Sequence, residues 1–142
     1  IQWWVPTQVK KWFLSLGISK VEEMSWWQSK EHKGFQITAT PTQHFSGRSL
    51  LDSDKSLWLG WVVESPSQKR CYFVGDTGYN PIDFKAIGDK WSYMDLSLIP
   101  IGTYIPRKFM SSVHIDPLQA VWIHKEVGSK TVVRIEITKK LK

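Results

Sequence analysis

The sequence predicts a layered α/β half-domain, and three observations carry that prediction. Short β-rich apolar runs alternate with segments of helical period along the chain. Residues 95–101 form one continuous apolar run, of the kind found in parallel sheets. Two metal-capable side chains, His44 and Asp76, stand just past such runs, where α/β folds expose their working residues.

Taken in order, residues 1–5 read as a strand already in progress at Ile1, which suggests a fragment. Pro6 and Thr7 open a helix to about Leu16, with Val9, Trp12, Phe13 and Leu16 on one face and Gly17 as its stop. Residues 18–27 alternate loosely and carry another strand, and 34–40 alternate clearly through Phe35, Ile37 and Ala39. Pro41 ends that strand, so His44 falls in the loop beyond. Residues 56–64 read as a buried strand and 65–69 as a turn, with 70–74 returning as a hairpin partner that ends next to Asp76. A short helix at 82–87 precedes the run at 95–101. Asp116 and Pro117 supply an N-cap and first helical position for a helix to about Val127, with Leu118, Val121, Trp122 and the stem of Lys125 facing inward. Residues 130–137 form the last strand.

The bounds on function are few. With 42% apolar content and nine tryptophans, 142 residues suit one domain with a real core. No apolar run approaches the roughly 18 residues of a membrane span. One cysteine, Cys71, excludes an internal disulfide framework and a thiolate zinc cluster within the chain, leaving His and carboxylates as metal ligands. The formal charge of +6 favours anionic partners, phospholipid headgroups or nucleic acid, without choosing between them.

Residue by residue the signals are modest. His44, flanked by Ser46 and Gly47, reads as a metal ligand or as a surface-loop histidine. Asp76 in Gly75-Asp76-Thr77-Gly78 reads as a ligand or as a turn-forming aspartate. Arg48, Tyr79, Tyr104 and Arg107 lie near these loops and line a substrate channel or simply pack. Asp95 is a candidate partner for orienting a ligand histidine. His32 and His124 read as structural or solvated. Most tryptophans read as core, and of the adjacent Trp26 and Trp27 one is free for a lipid interface.

Taken together, Thr42-Gln43-His44-Phe45-Ser46-Gly47-Arg48, Phe73-Val74-Gly75-Asp76-Thr77-Gly78-Tyr79, the 99–104 segment and Val113-His114-Ile115-Asp116-Pro117 resemble the second half of a metallo-β-lactamase-fold hydrolase. The chain is most similar to the N-acylphosphatidylethanolamine-hydrolysing phospholipase D family. The resemblance implies the C-terminal portion of an αββα sandwich, with residues 1–142 forming one incomplete domain. It implies a zinc-dependent phosphodiesterase that releases N-acylethanolamine and phosphatidic acid. His44 is then a zinc ligand, Asp76 a catalytic carboxylate bridging two zinc ions, and His114 a catalytic group near the substrate phosphate. Arg48, Tyr79 and Tyr104 would line the substrate site. The implied partners are a phospholipid substrate and a membrane surface, with no nucleic acid, and a homodimer is open to the intact protein. The implied location is intracellular, peripheral to a membrane or cytoplasmic.

The chain departs from the family at two places. The H-x-H-x-D-H segment that supplies most of the zinc ligands is absent, and Arg134-Ile135-Glu136-Ile137-Thr138 stands where the family ends a strand in a ligand histidine. Glu136 roughly occupies that slot. A catalytic zinc needs about three protein ligands, so the chain alone is expected to bind zinc weakly, to turn over no substrate, and to expose sheet edges. Two further readings stand beside this one: another hydrolase on the same fold, or a basic, aromatic-rich module that binds membrane or nucleic acid.

Overall fold

The alternating runs resolve into two sheets in a computed structural model that describes residues 1–47 and 52–135. The first is a parallel pair, β1 (Trp3–Pro6) and β2 (Val21–Met24), joined by the short helix α1 (Lys10–Ser15). Val5, Val9 and Val21 bury against one another with Phe13 at their margin. The second is a sheet of six strands, β3 (Ser29–His32), β4 (Phe35–Thr40), β5 (Gly60–Glu64), β6 (Arg70–Phe73), β7 (Met94–Pro100) and β8 (Ser129–Ile135), in that spatial order. Its first four strands run antiparallel as a meander, whereas β6, β7 and β8 are parallel. Parallel neighbours need crossovers. Helix α2 (Pro81–Trp91) supplies the first, and α3 (Arg107–Met110) with α4 (Pro117–Glu126) the second.

Strand register sorts the side chains onto two faces. Thr38, Val62, Tyr72, Ser97 and Val132 align across the sheet on the face covered by α2 and α4. There Tyr72, Ile99, Phe84, Ile87 and Ile123 are buried in one core. The opposite face aligns Ala39, Trp61, Phe73, Leu98 and Val133, which is equally apolar. Phe73 is nevertheless 44% exposed and Val133 47%. Half of an αββα sandwich has this form, one face packed on helices and one still half-covered. The two sheets meet through the Trp4 ring against His32 at 5.2 Å and an ion pair from Lys30 to Glu22 at 3.1 Å.

Several elements differ from the expected ones for local reasons. Helix α1 starts at Lys10, because Gln8 sits at φ +70° and the Thr7 hydroxyl is engaged with Ser25. Of its expected inner face, Val9 and Phe13 turn inward, while Trp12 and Leu16 are exposed. The unexpected strand β3 is charged and polar throughout, as edge strands often are, and so has no apolar alternation to reveal it. Residues 56–59 do not join β5. Leu57 donates its N–H to the Thr7 carbonyl, and the Trp58 indole donates to the Thr42 carbonyl. Helix α2 begins on an Asn80 cap and runs through Gly88 to Trp91, longer than expected, because Gly88 is a helix contact and not a stop. On α4, Asp116 caps the helix as expected and Gln119 completes a capping box with it, but the inward residues are Ala120 and Ile123. Leu118, Val121 and Trp122 are exposed, because the small Ala120 lets the helix approach on that stripe. Trp26 and Trp27 lie in a turn and both are exposed. The Trp26 indole donates to the Trp58 carbonyl and Trp27 stacks on Trp91 at 6.5 Å.

Asp95 is not a partner of a metal ligand. It opens β7, at the end of the strand away from Pro100, and accepts from the Arg70 N–H at 3.0 Å and from Lys69 and Lys130 at 3.3 Å each. The Arg70 N–H, followed by the two ammonium groups, holds its carboxyl below the usual carboxylate range. A lowered folded-state pKa stabilises above the unfolded value and is lost as pH falls through the folded one. Asp95→Asn is therefore expected to lower the thermal midpoint at pH 7, with the gap to the parent closing below about pH 3.9. Melting curves from pH 2 to 7 test this, and a gap independent of pH would contradict it.

Candidate metal and active site

The functional loops are tied together by backbone bonds. Gln43 and Gly78 form an isolated antiparallel bridge, the Gly78 N–H donating to the Gln43 carbonyl at 2.6 Å. The fully buried Thr77 hydroxyl accepts from the Gln43 N–H at 2.9 Å and donates to the Gly78 carbonyl at 2.6 Å. The Gln43 amide reaches the third loop, donating to the Ser112 carbonyl at 2.8 Å. A Cβ on Gly78 would fall 2.3 Å from that same Ser112 oxygen, so only glycine allows this approach. His44 follows the bridged Gln43, Asp76 precedes the bridged Gly78 by two residues, and His114 follows Ser112 by two. Gln43, Thr77 and Ser112 were not singled out from sequence. A wholly polar side chain beside each candidate was the available signal.

The His44 ring is fixed on both sides. It stacks on Phe45 at 4.7 Å and 8°, and its Nδ1 lies 2.8 Å from the Phe45 carbonyl. An N–H at Nδ1 donates to that oxygen and leaves Nε2 as the lone-pair atom. Nε2 is buried and has no hydrogen-bond partner. The His114 ring stands edge-on to His44 with centroids 5.2 Å apart. Burial, aided by the neighbouring His44, holds the His114 pKa below its ordinary value, and Asp76 acts in the opposite sense. Asp76 itself is exposed, at the edge of a cavity of about 160 Å³ walled by Phe73, Gly75, Pro100 and Ile135.

Arg107, on α3, holds the His114 turn in place. Its guanidinium donates to the His114 carbonyl at 2.8 Å and to Gln119 Oε1 at 3.0 Å, and pairs with Asp116 at 3.6 Å. One side chain thus binds the loop bearing His114 to the capping box of α4. Arg107→Ala is expected to destabilise the chain by about 2 kcal/mol, from two charge-assisted bonds lost in a half-buried place. Arg107→Lys should restore only part, since an ammonium lacks the planar fork. Urea midpoints of the three proteins test this, and equal midpoints would contradict it.

The site fits a metal in part. An imidazole whose Nδ1 is tied to a carbonyl and whose buried Nε2 is unpaired has the form of a metal ligand with its orienting partner. Among the described residues, however, no group of three or more His, Cys, Asp and Glu is placed to hold an ion. Arg48 and Glu136, both candidates from sequence, lie outside the described residues. Tyr79 is turned to the helices: its hydroxyl donates to Glu126 and its ring lies 5.2 Å from Trp122. Its hydroxyl pKa is pushed up to about 12 by burial and by Glu126. Tyr104 is half-buried in the segment between β7 and α3.

The beta-lactamase superfamily domain matches residues 3–137. The chain belongs to this superfamily. Its fold is that of the metallo-β-lactamases. The fold protein YhfI of Bacillus subtilis superposes on 95% of the chain with a TM-score of 0.68, at 16% identity and over 52% of YhfI. A possible metal-dependent hydrolase of Veillonella parvula superposes on 93% of it with a TM-score of 0.71, at 16% identity and over 51% of that protein. Among superfamily members, the chain is 42% identical to N-acyl-phosphatidylethanolamine-hydrolyzing phospholipase D 1 of Caenorhabditis elegans, over 95% of the chain and 40% of that protein. It is 34% identical to the mitochondrial enzyme of that name from Saccharomyces cerevisiae, over 94% of the chain and 30% of that protein. The chain therefore spans well under half the length of these relatives. The resemblance read from the four motifs holds at the level of the superfamily and of these relatives. Among the described residues no helix is long and apolar enough to cross a membrane.

Proposed function

We propose that this chain is the C-terminal portion of a zinc-dependent phosphodiesterase that cleaves N-acylphosphatidylethanolamine into N-acylethanolamine and phosphatidic acid. The unpaired, buried Nε2 of His44 beside His114 carries the reading, and the similarity to two phospholipase D enzymes of that name supports it. His44 and Asp76 would hold the metal, with further ligands from the rest of the parent chain. A bound divalent ion supplies Lewis-acid polarisation of a phosphoryl oxygen. The Phe45 carbonyl, paired with Nδ1, leaves Nε2 of His44 as the atom that would hold such an ion. His114, whose pKa burial holds below its ordinary value, would present one N–H to a phosphodiester oxygen. The apolar walls beside Asp76 and the exposed Phe45, Ile105 and Phe109 suit a lipid chain, and the charge of +6 suits an anionic bilayer on which the enzyme works as a peripheral protein. A homodimer of the parent is part of this reading.

Zinc content and N-acylphosphatidylethanolamine cleavage, measured on this chain and on the longer parent chain, test the proposal. A parent holding about two zinc ions and cleaving the lipid, beside a chain that does neither alone, is the expected result. A parent that binds zinc and hydrolyses only other esters would assign a different hydrolase on the same fold.

A further inference from the structure

A second cavity lies on the helix-covered face of the sheet, away from the Asp76 cavity. It measures about 320 Å³ and is walled by Ile99 and Ile101, by Val132, and by Pro117, Ala120 and Val121 of α4. Pro100 and Ile135, which wall the Asp76 cavity, alternate with Ile99 and Arg134, so the same two strands present one cavity on each face. Two groups break the apolar lining, His124 and Arg134. The Nδ1 of His124 is buried and has no hydrogen-bond partner, which is costly in apolar surroundings. Arg134 pairs with no carboxylate among the described residues. Neither carboxylate of α4 and its cap lines the cavity: Asp116 pairs with Arg107, and Glu126 accepts from the Tyr79 hydroxyl through Oε1, its Oε2 being buried without a partner.

Among the described residues, an apolar recess edged by an unpaired imidazole nitrogen and by a cation with no carboxylate partner is complementary to an amphiphile with an anionic head. We infer that this cavity binds an alkyl carboxylate, its tail against Ile99, Val132 and Val121 and its carboxylate between Arg134 and the His124 Nδ1–H. At about 30 Å³ for each water-sized group, the volume holds about ten such groups, the size of octanoate. Such a site is separate from the hydrolytic one and does not depend on its metal.

Calorimetric titration of the full chain with octanoate, octan-1-ol and octylammonium tests the assignment. Octanoate should bind saturably, octanol at least tenfold more weakly, and octylammonium not at all. Arg134→Gln should weaken octanoate about tenfold with an unchanged urea midpoint, since the side chain is exposed. Val121→Trp, at a wall position that is itself 47% exposed, should fill the cavity and abolish binding. Equal binding of the alcohol and the acid, or octanoate binding unchanged in both variants, overturns the inference. So does octanoate binding to this chain that is lost in the longer parent, which would mean that another part of the parent covers the cavity.

Discussion

Asp76→Asn is expected to lower phosphodiester turnover by the parent enzyme by about 10³-fold, the loss that follows when several kcal/mol of charge stabilisation leaves a metal site. The reason lies in charge and not in shape. Asparagine keeps the volume and one oxygen of the side chain, but a neutral amide cannot balance a dication. Asp76 is exposed, and the loops around it are held by Gln43, Thr77 and Ser112 and not by its carboxylate. The metal-free variant should therefore melt within about 0.5 kcal/mol of the metal-free parent. His44→Ala should likewise reduce zinc content, since it removes a buried, unpaired imidazole nitrogen from the loop bridged to the Asp76 loop. Turnover and zinc content measured together on both variants decide the matter. An Asp76→Asn enzyme within tenfold of the parent at full zinc occupancy would remove Asp76 from the metal site.

Gly88→Ala is expected to destabilise the fold by about 3 kcal/mol, at the upper end of overpacking costs. A Cβ at this position would lie 1.9 Å from the Glu126 carbonyl oxygen and 3.0 Å from its carbon, both backbone atoms that no rotamer change can move. Helices α2 and α4 would have to separate along the contact that buries Phe84, Ile87, Ile123 and Val127. Domains of this size are stable by about 5–15 kcal/mol in total, so the urea midpoint should fall sharply. Gly47→Ala is the control, because among the described residues its Cβ would meet only the Ser53 Cα at 3.9 Å. An equal effect of the two substitutions would show that the contact between α2 and α4 does not set the cost.

Much of the architecture was legible because the decisive signals are local. The Asp116-Pro117 start of α4 is a cap that works through the first helical turn alone, and Asp116 caps the helix as read. The hairpin of β5 and β6 follows from a polar turn between two apolar runs. The signals failed where neighbours decided. Strand β3 has no apolar period, because its pairing with β4 is a backbone matter. Helix α4 is apolar on more than one side, and its sequence does not say that the stripe through Ala120 and Ile123 goes inward while Val121 and Trp122 stay out. Asp95 stood in the right chemical class for a ligand partner, but at the far end of its strand.

The candidate site divides in the same way. The amino-acid sequence by itself determined the superfamily, the α/β class, and His44, Asp76 and His114 as the residues to watch, because motif chemistry is carried by side-chain type and short spacing. Only the tertiary structure decided that the three loops meet. That meeting rests on one bridge between Gln43 and Gly78, on a buried Thr77 hydroxyl, and on a glycine with no Cβ to strike Ser112. It also decided that Arg107 secures the His114 turn while Tyr79 serves the helices. Contacts between residues 30 to 70 positions apart depend on register, crossover and close packing, and no local run of sequence encodes these.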